Sequence, residues 1–171
     1  VAAPPYDVVN TGEARDIAAG RPFCFFHVSR AEIDLPADTD PYAAEVYEAA
    51  ARNLKEFEAA GALIRDSNPC FYVYRITVGD TSQTGIAVSA SVQAYDENRI
   101  KKHELTRPSK EDDRVRQIEA VNSITGPVLT VHRADSDLAS LLASSTESSP
   151  DAEAHGIGGA THELWVVSDT D

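Results

Sequence analysis

CFYVYRITVGDTSQTGIAVSASVQAY, residues 70–95, decides the fold class. Its first nine residues are aromatic, β-branched or otherwise strand-prone, and Gly79-Asp80 then breaks the run. In the second half Ile86, Val88, Ala90, Val92 and Ala94 alternate with small or polar residues. A period of two puts one set of side chains on one face of a strand. The stretch is therefore expected to form an antiparallel hairpin of two strands, 70–78 and 84–95, with one face buried.

Working outward from the hairpin, the segment before it carries a helical pattern. Asp40-Pro41 is a helix start, with Asp as cap and Pro in the first turn. Val46, Tyr47, Ala50, Leu54 and Phe57 follow at spacings of three and four, and Gly61 closes the helix. Further upstream, the two prolines of VAAPPYDVVN enforce extended chain. Asn10 to Glu13 reads as a capping box for a short helix that ends near Gly20. RPFCFFHVS, 21–29, is expected as a buried strand, and 30–39 as a polar loop.

Downstream, a helix is expected from about Ser109 or Lys110 through Val121. PVLTVHR, 127–133, is expected as a strand and SDLASLLAS as a short helix capped by Ser136. The Ser/Gly-rich, acidic stretch STESSPDAEAHGIGG is expected to be a mobile loop, and ELWVVSD a last strand. Strands and helices in no strict alternation indicate an α+β fold with a mixed, largely antiparallel sheet and flanking helices. The 171 residues are read as one domain, 1–171. No repeat of fixed period is present, although His103-Glu104-Leu105 recurs as His162-Glu163-Leu164.

Charge narrows the function. The chain carries −13 at neutral pH, which argues against binding nucleic acid or an anionic membrane. No apolar run reaches the roughly 20 residues a membrane span needs. No basic-then-apolar leader opens the sequence. Cys24 and Cys70 lack metal or redox spacing and read as buried free thiols of a cytoplasmic protein. Against the acidic background, residues 99–116 gather seven cations and four anions, Glu104, Glu111, Asp112 and Asp113. Clustered cations in an acidic chain suit a compact anion such as phosphate. A solvated charged face is the competing reading.

The stretch KKHELTRPSKEDDR, 101–114, gives that anion a location. A helix beginning near Ser109 aims unpaired N–H groups and its positive dipole end at the preceding loop. Lys110 and Arg114, four apart, share one helical face. Thr106 is a hydroxyl donor, and Arg114 is suited to bidentate contact with phosphate. The three acids from Glu111 to Asp113 oppose an anion there unless they point elsewhere. Mg²⁺ accompanying a nucleotide is one use for them. His103 and Glu104 are candidates for acid–base work, provided a loop or bulge turns both to one site. Asp7, placed by Pro4-Pro5, is a candidate base or a plain turn cap. No HEXXH motif, Gly-rich phosphate loop or serine nucleophile elbow is present, and no transition-metal set is expected.

Several segments occur together in one order: PPYDV at 4–8, FFHVSRAE, EFEAAGAL, YVYRI, HELT with Lys110 and Asp113-Arg114, GPVLTVHR and ELWVVSD. Together they resemble the domain-of-unknown-function 1015 family, some members of which are described as similar to free serine kinases. The resemblance implies a cytoplasmic protein related to the ParB and sulfiredoxin superfamily, with a nucleotide as phosphoryl donor. It directs attention to Tyr6, Asp7, His103, Glu104, Thr106, Lys110, Asp113 and Arg114. The family's Asp-Gly-His-His-Arg motif is absent, so the chain is expected to be the N-terminal part of a longer protein, inactive alone. The leading expectation is thus part of a small-molecule phosphotransferase with a small-molecule or nucleotide ligand. The alternatives are a noncatalytic ligand-binding regulatory module, and a structural half-domain whose charges pair with one another.

Overall fold

The computed structural model describes residues 2–102 and 105–168. The chain divides into two compact units, Val1–Arg65 with Leu105–Pro127, and Asp66–Glu104 with Val128–Asp171. The first is helical and the second holds the sheet, so the class is α+β.

The helical unit begins with α1 (Thr11–Ala18), entered through the expected capping box: Asn10 accepts from the Glu13 N–H, and Glu13 accepts from the Asn10 N–H. Next come α2 (Phe26–Ser29) and a 3-10 turn (Ala31–Asp34). The strand expected over 21–29 is therefore absent. Its backbone bonds are local: Val28 donates to Phe25 at 2.9 Å and Arg30 to Phe26 at 2.8 Å. A short apolar run buries equally well as a helical turn, and its periodicity does not distinguish the two.

The central helix, α3 (Ala44–Ala59), buries Val46, Tyr47, Ala49, Ala50, Leu54 and Phe57 on one stripe. It starts a turn later than the Asp40-Pro41 signal, because Asp40 caps the Tyr42 N–H in a preceding turn. Its end is a Schellman closure. Gly61, at φ +70°, donates to Glu58, and Ala62 donates to Phe57. α5 will denote Pro108–Val121; it starts with Pro at its first position, and Arg107 before it makes no side-chain cap. Its Val121 joins Val28, Val46, Ala50, Leu54 and Phe57 in one core, while Ala14, Cys24, Phe26 and Ile33 form a second. Gln117, also buried, donates to the Val28 carbonyl at 2.9 Å.

The sheet unit has four strands, β1 (Phe71–Val78), β2 (Thr81–Ala87), β3 (Ala152–His155) and β4 (Thr161–Val167). Their order is β2-β1-β4-β3, and every pairing is antiparallel. Gly79, at φ +56°, opens the two-residue turn between β1 and β2. Val73 lies opposite Trp165, and both are buried. On the same face Arg75 sits over the Trp165 ring and 3.8 Å from Glu163.

The second hairpin strand is shorter than the alternation indicated. β2 stops at Ala87, opposite Tyr72, because β1 begins immediately after Pro69-Cys70 and leaves nothing to pair with 88–95. Ser91 instead caps a helical turn, α4 (Val92–Asp96), by accepting from Ala94. α6 (Ser136–Ser145) is capped by Asp135 rather than Ser136. Residues 127–133 form no strand, and Val128, Leu129 and Val131 are largely exposed. The stretch expected to be a mobile loop contains β3 and a 3-10 turn (Ile157–Gly159), and Asp151 bonds Leu164 and Val166 of β4. Cys24 is buried, Cys70 is half-buried, and both are free thiols.

Candidate functional site

The N-terminal half of α5 gathers four of the marked residues. Asp113, on the helix's inner face, is buried and accepts three hydrogen bonds. Tyr47 of α3 donates to Oδ1 at 2.8 Å; Arg114 donates to Oδ2 from Nε at 3.1 Å and from Nη2 at 2.7 Å. A buried carboxylate needs such compensation, and a tyrosine hydroxyl plus a two-pronged guanidinium provides it. The buried Tyr47 phenol is in turn pushed up to about 12, by loss of solvent first and by the Asp113 bond second.

Asp113 thereby fixes the Arg114 guanidinium. Its carbon stands 4.0 Å from the centre of the Tyr6 ring, a cation–π contact. Tyr6 is held from behind by Arg30, which donates to the Tyr6 carbonyl at 2.8 Å, the Val9 carbonyl at 3.0 Å and the Thr11 hydroxyl at 3.0 Å. Arg30 is itself paired at 2.7 Å with buried Glu32. A continuous chain of contacts thus runs Glu32, Arg30, Tyr6, Arg114, Asp113, Tyr47.

Lys110, one turn before Arg114, donates to the Tyr42 hydroxyl at 2.9 Å. That bond holds the ammonium above the usual lysine range, with Tyr6 and Asp113 acting in the same direction. No carboxylate among the described residues is within ion-pair distance of Lys110. Thr106 is placed differently: its hydroxyl donates to Glu111 at 2.9 Å. The opposing acids therefore sort themselves. Glu111 takes Thr106, Asp113 turns inward, and Asp112 stays exposed.

Asp7 adjoins Tyr6, is exposed, and its carboxylate makes no hydrogen bond. His103 and Glu104 lie outside the described residues. Tyr6, Lys110, Asp113 and Arg114 are brought together; Thr106 is on the same helix entrance but engaged with Glu111. Among the described residues, no three or more His, Cys, Asp or Glu side chains gather in a metal-holding group. No described helix is long and apolar enough to cross a membrane.

Tyr42, Tyr47, Arg30 and Glu32 are the members that sequence reasoning missed. One signal was available for Tyr47: a tyrosine on the buried stripe of a helix needs a partner for its hydroxyl. Which acid serves it, 66 positions away, depends on how α3 and α5 pack.

No curated protein and no solved structure matches this sequence. A family model described as "Protein of unknown function (DUF1015)" matches residues 1–171, end to end, and the chain belongs to that family.

Proposed function

We propose that the helical unit supplies the cationic part of a site for a phosphorylated small molecule or a nucleotide, in a phosphotransferase of the free-serine-kinase type related to the ParB and sulfiredoxin superfamily. The observation that supports this reading is Lys110. Its ammonium donates to the Tyr42 hydroxyl, no carboxylate among the described residues is within ion-pair distance, and one turn on lies an arginine held on a second tyrosine. A cation that makes no ion pair with a described residue, in a −13 protein, is suited to an incoming anion.

In this reading Lys110 and the unused Nη1 edge of Arg114 take phosphate oxygens, and neutralise charge on the transferred phosphoryl group. Asp113 is a positioning residue. Both its oxygens are occupied, so it orients Arg114 and does not remove a proton. Asp7 or Glu104 accepts the proton of the attacking hydroxyl. Mg²⁺ bound with a nucleotide would add charge neutralisation. One or two carboxylates suffice for it alongside phosphate oxygens, and Asp7 and Asp112 are exposed, described carboxylates that make no hydrogen bond.

A second reading has its own support. The Thr106–Glu111 and Arg114–Asp113 bonds pair these groups within the unit, as a structural half-domain whose charges pair with one another requires. Thermal melting with ATP, ADP or inorganic phosphate, with and without Mg²⁺, tests the proposal. The expected result is a nucleotide-dependent rise of a few degrees, on the order that saturating ligand gives. Lys110→Ala should abolish that rise while leaving the melting temperature of the free protein nearly unchanged. Serine-dependent nucleotide consumption by the full-length protein, lost in Glu104→Gln, marks catalysis; binding without consumption marks the module. No rise with any of these ligands overturns the anion site.

A further inference from the structure

A hollow of about 400 Å³ opens in the helical unit where the end of α1, the turn at 19–22 and the 3-10 turn at 31–34 meet. That volume suits a small ligand. Ala18, Pro22 and Ile33 contribute apolar surface, Arg15, Arg21 and Asp34 contribute charge, and His27 contributes a polar ring. Neither Lys110 nor Arg114 lines it, so it is separate from the site above.

The one carboxylate is already engaged. The oxygens of Asp34 lie 2.8 and 3.0 Å from His27 Nδ1, and Oδ2 also accepts from Asn53 Nδ2 at 2.9 Å. His27 Nε2 faces the Arg21 carbonyl at 3.2 Å. Both ring nitrogens of His27 are thus engaged by neighbouring groups. Arg15 is fixed by three carbonyls, with Nε on Ile33 at 3.0 Å and Nη2 at 3.4 Å from both Glu32 and Leu35, which leaves Nη1 unused. Arg21 is exposed, and its side chain has no hydrogen bond or ion pair. The carbonyl end of α1 would repel an anion. Two of its last carbonyls are covered, since the Arg21 N–H donates to Ala18 at 2.9 Å and the Ala19 N–H to Asp16 at 3.3 Å.

What remains is a cationic rim over an apolar floor. We propose that this hollow binds a small organic anion, its carboxylate or phosphate on Arg21 and Arg15 and its short apolar body against Ala18, Pro22 and Ile33. Backbone amide NMR titration of the whole protein with butyrate, phenyl phosphate and inorganic phosphate tests this. Saturable shifts at Gly20, Arg21 and Ile33 are expected with butyrate or phenyl phosphate, and weaker binding of inorganic phosphate, which lacks an apolar body. Arg21→Ala removes no internal contact and should weaken binding about tenfold, the effect of losing one charged hydrogen bond. Lys110→Ala should leave these shifts as they are, whichever way the α5 site behaves. Absence of saturable shifts, unchanged affinity in Arg21→Ala, or equal affinity for inorganic and phenyl phosphate overturns the proposal.

Discussion

Tyr47 shows how one hydroxyl ties packing to charge. The ring belongs to the core stripe of α3, and burying it is favourable only because the hydroxyl finds Asp113. Its pKa, raised to about 12 in the folded protein, stands above the unfolded value of about 10. The bound, neutral phenol therefore stabilises the fold fully below pH 10, and this contribution is lost as pH rises through 12. Tyr72, bonded to Asp66, is likewise pushed to about 12 and adds a decline of the same sign in the sheet unit. Urea midpoints measured from pH 9 to 12 should fall for the native protein and fall less steeply for Tyr47→Phe with Tyr72→Phe. Parallel curves would show that neither hydroxyl carries that linkage. At neutral pH, Tyr47→Phe alone should cost about 1–2 kcal/mol, since Asp113 keeps Arg114 but loses one buried donor.

At the scale of elements, the closing turn of α3 makes a sharp prediction. Gly61 sits at φ +70° with open space around its Cα, so Gly61→Ala meets no clash and isolates the backbone cost. Chemical denaturation should show a loss of about 1 kcal/mol, with Gly61→Asn recovering part of it because Asn tolerates the left-handed region. An unchanged midpoint would mean that the closure is dispensable. This turn, like α3 itself and the Asn10–Glu13 box, was legible because its determinants lie within a few residues of one another. β3 was not legible: Ala152, Glu153, Ala154 and His155 have little intrinsic strand preference, and the segment is a strand only because β4 pairs with it. The 21–29 segment failed for the opposite reason, having the hydrophobicity of a strand and the local hydrogen bonds of a helix. At the site, the shared face of Lys110 and Arg114 follows from helical spacing alone. The Arg30–Tyr6 and Tyr47–Asp113 contacts depend on tertiary packing, which spacing does not encode.

For the molecule as a whole, the decisive fact is that neither unit is a continuous stretch of chain. α5 returns to the helical unit after the chain has built β1, β2 and α4 in the other one. Residues 1–65 alone would keep α1, α2 and α3 but lose Val121 from their core, the Gln117 bond to the Val28 carbonyl, and the Asp113 acceptor for Tyr47. A buried tyrosine without its partner and an open apolar groove along α3 together cost several kcal/mol, comparable to the whole stability of a small domain. The piece 1–65 is therefore expected to give poorly dispersed amide NMR spectra. Adding a synthetic peptide of residues 105–127 should restore dispersed peaks for α3, because the peptide brings back all three missing partners. The same peptide with Asp113→Ala and Gln117→Ala should restore them only at much higher concentration. If 1–65 folds unaided, α5 rests on a core that is already complete, and the contacts through Val121, Gln117 and Asp113 are not what holds the helical unit together.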